Sequence, residues 1–239
     1  MKITVLTIFT EMYEGFLNTS IIKRIIEKGI AEVNVVDIRN YSLDKHRHVD
    51  DTPYGGGAGM LMKVDVVHRA LKTNSNIDSH VILTSPKAKP LSQDDLLRLS
   101  KMDDIVIICG HYEGIDSRIE KYCNEKVSIG DYILTGGELA SMVLIDGILR
   151  LLDDSISPES LEEESYDNGL LEYPQYTRPY EYDGETVPDV LVNGNHSEIR
   201  KFKIKESLKE TIKYRPDLLK VHRFTKEEIE ILEEIKSEL

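Results

Sequence analysis

Between Asp153 and Asp167 the chain carries seven carboxylates and no lysine or arginine: Asp153, Asp154, Glu159, Glu162, Glu163, Glu164 and Asp167. A run of this kind reads first as a solvated linker. It also supplies groups able to take a proton from a substrate. Upstream stand three glycine-rich stretches, DDTPYGGGAGM (50–60), CGHYEGID (109–116) and SIGDYILTGGELASM (128–142). Glycine permits positive φ and close approach of backbone to a ligand, so such loops can offer main-chain N–H and C=O groups to a cofactor. Any one of them alone reads as a tight turn. Three beside a parallel sheet argue for a cofactor crevice.

The class of cofactor follows by elimination. No G-x-G-x-x-G opens the first crossover unit and no G-x-x-x-x-G-K-[ST] occurs anywhere, so the usual dinucleotide and nucleoside-triphosphate readings lose their main support. A nucleoside held without a phosphate clamp suits S-adenosylmethionine, whose positive sulfonium tolerates carboxylates such as Glu113, Asp116 and Asp131. Cys109 and Cys123, the two cysteines, are too few for a disulfide framework and lack zinc-type spacing. Cys109 ends a strand and reads as a buried, inert thiol.

The elements that must position these loops are legible as alternating periods. Apolar, β-branched runs recur at 3–8, 31–38, 80–85 and 104–110, separated by helical spacing at 20–29, 64–72 and 91–101, where Ser92 and Asp95 suggest an N-terminal capping box. Strands alternating with helices of this length imply crossover units: an α/β domain with a mostly parallel sheet over residues 1–150. Past Ile148 the pattern changes to the acidic run, then to a stretch with Pro and Tyr, then to helical segments near 197–214 and 225–238. We therefore expect a flexible acidic linker over 151–168, mobile when empty, and a small, mainly helical domain over 169–239.

At 40% hydrophobic and 31% charged residues the composition is that of an ordinary globular protein. No apolar run approaches the roughly 20 residues needed to cross a bilayer, and MKITVLTIFTEMYEG reads as a strand entering a helix rather than a signal peptide. The cytoplasm is the simplest compartment, and neither a membrane nor DNA is an expected partner. A net charge of -13 argues against global electrostatic grip on a polyanion. Residues 196–223, however, hold nine Lys and Arg against four acids. That stretch is either part of a polyanion footprint or the mixed-charge face of an amphipathic helix.

These residues carry a family resemblance. IFTEMYEGFL (8–17), RHVDDTPYGGGAGMLMK (47–63), LTSPK (83–87), CGHYEGID, SIGDYILTGGELASM, GLLEYPQYTRP (169–179), VPDVLVNGNHSEIRKFK (187–203) and RPDLL (215–219) occur in family order, and the chain resembles the bacterial tRNA (guanosine-37-N1)-methyltransferases, the TrmD family of the SPOUT superfamily. The resemblance implies a trefoil-knotted N-terminal domain, an obligate homodimer with active sites shared between subunits, and a tRNA substrate with G at position 37. It implies cofactor contacts at Leu83, Thr84, Ser85 and Pro86, at Gly110, Tyr112 and Glu113, and at Ser128, Ile129, Gly130, Asp131, Tyr132, Ile133, Leu134, Gly136 and Gly137. Asp50, Tyr54, Gly55, Gly56 and Gly57 are expected on the target-base side. Arg178 suits phosphate positioning, and His196 is either an RNA contact or an ordinary loop residue before a helix capped by Ser197. Magnesium dependence is also implied; Glu113 is a candidate neighbour, but no dedicated site is assigned. The family's proline after GGEL is Ala140 here, and its frequent Arg after the paired aspartates is Thr52.

N1 of guanine carries a proton that must leave before a methyl group can add, and negative charge then moves toward O6. The reaction therefore needs a general base and a cation aimed at O6. In the family an Asp in the interdomain linker is the base and an Arg before the linker stabilises the charge. Arg150 matches that Arg, although by itself it reads as a helix C-terminal cation. Counting back from GLLEYPQYTRP, Glu164 falls on the Asp, with Glu163 as the neighbouring candidate, because LLDDSISPES (151–160) replaces the family's I-P-G-V-L-G and shortens the spacing from Arg150. Glu in place of Asp moves the carboxylate by roughly 1 Å, an error able to cost on the order of 100-fold in rate unless the backbone compensates. The competing expectations are a SPOUT-type RNA-binding protein with weak or lost methyltransferase activity, and an α/β nucleotide enzyme that turns over without tRNA.

Overall fold

Strand β1 (Lys2–Thr7) is buried from Ile3 onward, and the DIVII run of β6 (Asp104–Ile108) is buried from Ile105 to Ile108. Continuous apolar runs of this length belong to strands covered on both faces, as parallel strands are. In the computed structural model, which describes residues 1–155, 164–166 and 168–238, the two strands pair in parallel at the centre of a five-stranded sheet. The other members are β2 (Glu32–Asp37), β5 (His80–Thr84) and β7 (Glu125–Val127), in the order β2-β1-β6-β5-β7, and every neighbouring pair is parallel. The alternation within β6 sorts its side chains between two cores. Ile105 and Ile107 join Ile22 and Ile25 of α2 (Ser20–Glu27), Leu99 of α4 (Gln93–Leu99) and Leu144, Ile145 and Ile148 of α5 (Glu138–Leu149). Val106 and Ile108 face the other way, against Val66, Val67 and Ala70 of α3 (Val64–Asn74). The α/β expectation holds. A short helix α1 (Tyr13–Leu17) follows β1, and β3 (Asp50–Asp51) pairs antiparallel with β4 (Leu61–Met62).

The Ser92–Asp95 capping box forms as expected: Asp95 N–H donates to Ser92 Oγ at 3.4 Å and Ser92 N–H to Asp95 Oδ2 at 3.0 Å.

The chain divides into two compact units, Met1–Ile156 and Ser157–Leu239. Glu164 falls within the second of these units. Residues 156–163 and Asp167, which include Glu163 and half of the expected mobile linker, lie outside the described residues. The second unit is built on α6 (His196–Tyr214) packed with α7 (Lys226–Glu238), around Leu170, Leu208, Ile231 and Ile235. A two-stranded hairpin, β8 (Glu181–Tyr182) and β9 (Glu185–Thr186), turns through Asp183 and Gly184. Both turn residues have positive φ, the conformation that an Asp-Gly hairpin turn requires.

Candidate active site

Because the five strands are parallel, their carboxyl ends deliver the glycine-bearing loops to one edge of the sheet, where open α/β sheets bind ligands. The loops are physically joined there. Ser85 N–H donates to Val127 O at 2.9 Å, linking the residue after β5 to the end of β7. Gly137 N–H donates to Gly110 O at 2.7 Å, and His111 bridges Gly136, linking the loop after β7 to the one after β6. The hairpin loop of β3 and β4 joins through Glu113 N–H to Met60 O at 3.0 Å and Met62 N–H to Gly114 O at 2.9 Å.

Two glycines explain how the loops come so close. A Cβ on Gly137 would lie 2.0 Å from Thr84 Oγ1 and 3.0 Å from both Cys109 Cα and Gly110 N. At Gly136 it would lie 2.2 Å from Glu138 Oε2 and 2.4 Å from His111 Nδ1. Thr84, Gly110, Gly136 and Gly137, four of the positions expected to contact a cofactor, are thus brought together.

Tyr112 sits in the left-handed region at φ 59° and is 44% exposed. A non-glycine residue held there is strained, and such strain gathers at ligand-binding loops. Partial burial, then the nearby Asp50 carboxylate, push its phenol above the ordinary value. The Glu113 side chain lies over Gly59, where a Cβ would come within 2.4 Å of its Cγ. Arg118 donates to both carboxylate oxygens of Asp116, Nε to Oδ1 at 2.9 Å and Nη2 to Oδ2 at 2.6 Å. That side-chain grip holds the Asp116 carboxyl below its usual range.

Leu83 is buried, Ser85 partly so and Pro86 exposed. Ser128 is buried and its hydroxyl bonds Gly130 O at 3.0 Å, while Ile129 is half-buried and Asp131, Tyr132, Ile133 and Leu134 are exposed. In the loop between β3 and β4 Tyr54 is fully exposed, and Gly55, Gly56 and Gly57 all have positive φ, the conformation glycine adopts without penalty. Arg150 is the residue that caps the C-terminus of α5, its N–H donating to Asp146 O at 3.1 Å.

In the second unit Glu164 lines a small cleft of about 80 Å³ with Leu171, Tyr173, Lys203, Ile204 and Glu228. The turn beside it is pinned by Glu172 N–H donating to Ser165 Oγ at 3.0 Å and by Tyr166 N–H donating to Leu170 O at 2.7 Å. Arg178 is exposed and makes no ion pair among the described residues. His196 is exposed as the first residue of α6, but the cap is Asn195 and not Ser197: its side chain accepts from Ser197 N–H at 3.2 Å and Glu198 N–H at 3.4 Å. The basic stretch is partly neutralised within the unit. Arg200 pairs with Glu227, Lys201 with Glu234, Lys209 with Glu206 and Arg215 with Asp217. Its footprint for an anion is therefore smaller than the charge count suggested.

Sequence reasoning missed a buried polar cluster beneath the crevice. Glu138, the first residue of α5, is 2% exposed; its Oε1 accepts from Thr7 Oγ1 at 2.8 Å and its Oε2 lies 3.7 Å from His111 Nδ1. Its sequence signal, an acid at a helix N-terminus, also fits a solvated dipole partner. Burial separates the two readings, and it appears only in the structure.

The family described as tRNA (Guanine-1)-methyltransferase TrmD matches residues 1–221. A protein of Dictyoglomus turgidum named tRNA (guanine-N(1)-)-methyltransferase is 46% identical over 240 residues, covering 100% of this chain and 98% of its own. Proteins with the same name from Syntrophomonas wolfei and Fusobacterium nucleatum are 49% and 48% identical, covering 98% and 100% of this chain and 97% and 99% of their own. A fold, a loop arrangement and a match of this extent together make the chain a member of the TrmD family.

Proposed function

We propose that the chain is an S-adenosylmethionine-dependent methyltransferase acting on N1 of the guanosine at position 37 of tRNA, as a homodimer with shared active sites. The observation that carries the reading is the glycine-only approach of Gly136 and Gly137 to Thr84, Gly110 and His111 at the carboxyl edge of the sheet, in a chain of the TrmD family. Such a cradle suits a nucleoside recognised by backbone groups. In this reading the loops after β5, β6 and β7 follow the family's trefoil knot.

Bound S-adenosylmethionine supplies a methyl group on a cationic sulfur. Leu83 to Pro86, Gly110, Tyr112, Glu113, Ser128 to Leu134, Gly136 and Gly137 would hold it. Asp50, Tyr54 and Gly55 to Gly57 line the target-base side. Glu164 takes the proton from guanine N1, and the charge that moves to O6 meets the Arg150 guanidinium, whose charge persists at every working pH. Deprotonation leaves N1 the lone pair needed to bond the methyl carbon, and the electron pair of the broken carbon–sulfur bond would stay on sulfur, so that S-adenosylhomocysteine leaves. Arg178 and His196 contact the tRNA outside the reacting base. Among the described residues no group of three or more His, Cys, Asp or Glu is arranged to hold a metal ion, so no step is assigned to magnesium. A second copy is supported by an apolar face on α5, where Leu139 and Val143, one turn apart, are each 49% exposed and follow the exposed Ile133 and Leu134.

The test is methyl incorporation from labelled cofactor into tRNA transcripts bearing G or A at position 37, with magnesium supplied. Incorporation on G and not on A is expected. Cofactor binding without transfer to the G transcript would overturn this reading in favour of the RNA-binding alternative.

A further inference from the structure

Glu138 is the most deeply buried carboxylate described, and its surroundings are drawn from three separate elements. Thr7, at the end of β1, donates to Oε1 while its hydroxyl oxygen accepts Phe9 N–H at 3.0 Å. Glu138 itself opens α5, where the helix dipole favours negative charge. On the third side stands His111, from the loop after β6, whose Nδ1 is buried, has no hydrogen-bond partner among the described residues and faces Glu138 Oε2 across 3.7 Å. The ring is fixed edge-on between Phe9 at 4.8 Å and Tyr112 at 5.2 Å. Gly136 leaves the space for this approach, since a Cβ there would strike both side chains.

A buried carboxylate is costly unless its partners are well placed. An arrangement of this kind specifies one geometry among the elements it joins. His111 lies between Gly110 and the Tyr112–Glu113 pair, so where its side chain is anchored bears on the backbone to both sides. We propose that His111 and Glu138 are positioning residues: the pair sets the course of the 110–113 loop and so aims Gly110, Tyr112 and Glu113 at the cofactor, while touching no reacting atom itself. The inference rests on the reading that S-adenosylmethionine binds this loop.

The test is calorimetric binding of S-adenosylhomocysteine, together with tRNA affinity and thermal unfolding, on the full chain. His111→Leu keeps bulk and removes the ring nitrogen; His111→Asn keeps a donor close to the Nδ1 position. We expect His111→Leu and Glu138→Gln each to weaken S-adenosylhomocysteine binding about 10-fold or more, with tRNA affinity unchanged, and His111→Asn to restore binding to within about 3-fold of the original. Tyr13→Phe is the control for the rest of the cluster, since it removes the hydroxyl bonded to Ser141 at 2.5 Å and near Cys109 Sγ at 3.5 Å. It should lower the unfolding temperature and leave cofactor affinity intact. A folded His111→Leu or Glu138→Gln that binds as the original chain does, or a His111→Asn as weak as His111→Leu, overturns the positioning role. Failure of the unaltered chain to bind S-adenosylhomocysteine would bring down the cofactor reading, and this inference with it.

Discussion

Replacing Gly137 by Ala tests the crevice through space alone. Gly137 has φ -84° and ψ -4°, a conformation open to any residue, so backbone strain does not enter. The new methyl would start 2.0 Å from Thr84 Oγ1 and 3.0 Å from Cys109 Cα and Gly110 N. Ordinary carbon contacts lie near 3.5–4.0 Å, so the Cys109–Gly110 backbone must retreat by about 0.5–1 Å. Thr84 must also swing away from Ile108 O, to which its hydroxyl donates at 3.1 Å. Overpacking of this kind costs about 1–3 kcal/mol, and the lost hydrogen bond adds about 1 kcal/mol. A shift approaching 1 Å at a positioned site costs on the order of 100-fold in rate. Calorimetry with S-adenosylhomocysteine and single-turnover methylation should therefore both show large losses, with a lowered unfolding temperature. Gly15→Ala is the control: it is exposed in α1, nothing lies within 4 Å of its added Cβ, and a helical Gly-to-Ala change stabilises by up to about 1 kcal/mol. A Gly137→Ala chain as stable and as tight for the cofactor as the original would refute the close-approach argument.

Burial pushes the Cys109 thiol up to about 12 and the Cys123 thiol up to about 11. Neither should react appreciably with a thiol reagent at pH 8 until the chain is unfolded, and rapid labelling of the native chain would contradict the burial. Glu228 tests the second unit: burial raises its carboxyl, but Thr225 N–H, the His222 ring and the Thr225 hydroxyl outweigh that and the net shift is downward. Its stabilisation is thus present above the ordinary value of 4.5 and lost as pH falls through the lower folded value. Thermal unfolding of Glu228→Gln should fall short of the original chain at pH 7 by a margin that shrinks in acid; a constant margin would be evidence against it. Tyr166→Phe removes the hydroxyl that accepts from Arg215 Nη1 at 3.3 Å, beside a guanidinium 5.7 Å from the ring centroid. Single-turnover methylation should drop by a factor of about 2–5 with cofactor affinity unchanged, the value of one exposed hydrogen bond; no change in rate would detach Tyr166 from the placement of Glu164.

The parallel sheet was legible because Ile105 to Ile108 and the other buried runs leave no polar alternative, and α4 because its capping box is local. Glycine clusters marked the crevice loops for the same reason: Gly137 is dictated by what it touches, and few residue types could stand there. The Glu138–His111 cluster was not legible, because burial of a carboxylate depends on Thr7 and Gly136, far apart or conformationally silent in sequence. The neutralised basic stretch escaped similarly: Arg200–Glu227 and Lys201–Glu234 join positions 27 and 33 residues apart. Asn195 displaced Ser197 as a cap because both are good capping residues and the difference lies in where the helix begins.

The central claim is that a carboxylate at Glu164 takes the N1 proton of guanosine 37. The most direct measurement is mass-spectrometric detection of 1-methylguanosine at position 37 after a single turnover, for the original chain and for Glu164→Gln at equal cofactor saturation. The account predicts 1-methylguanosine from the original chain and a loss of about 100-fold or more in the variant, the scale of a general base. Near-equal methylation by the two chains would contradict it.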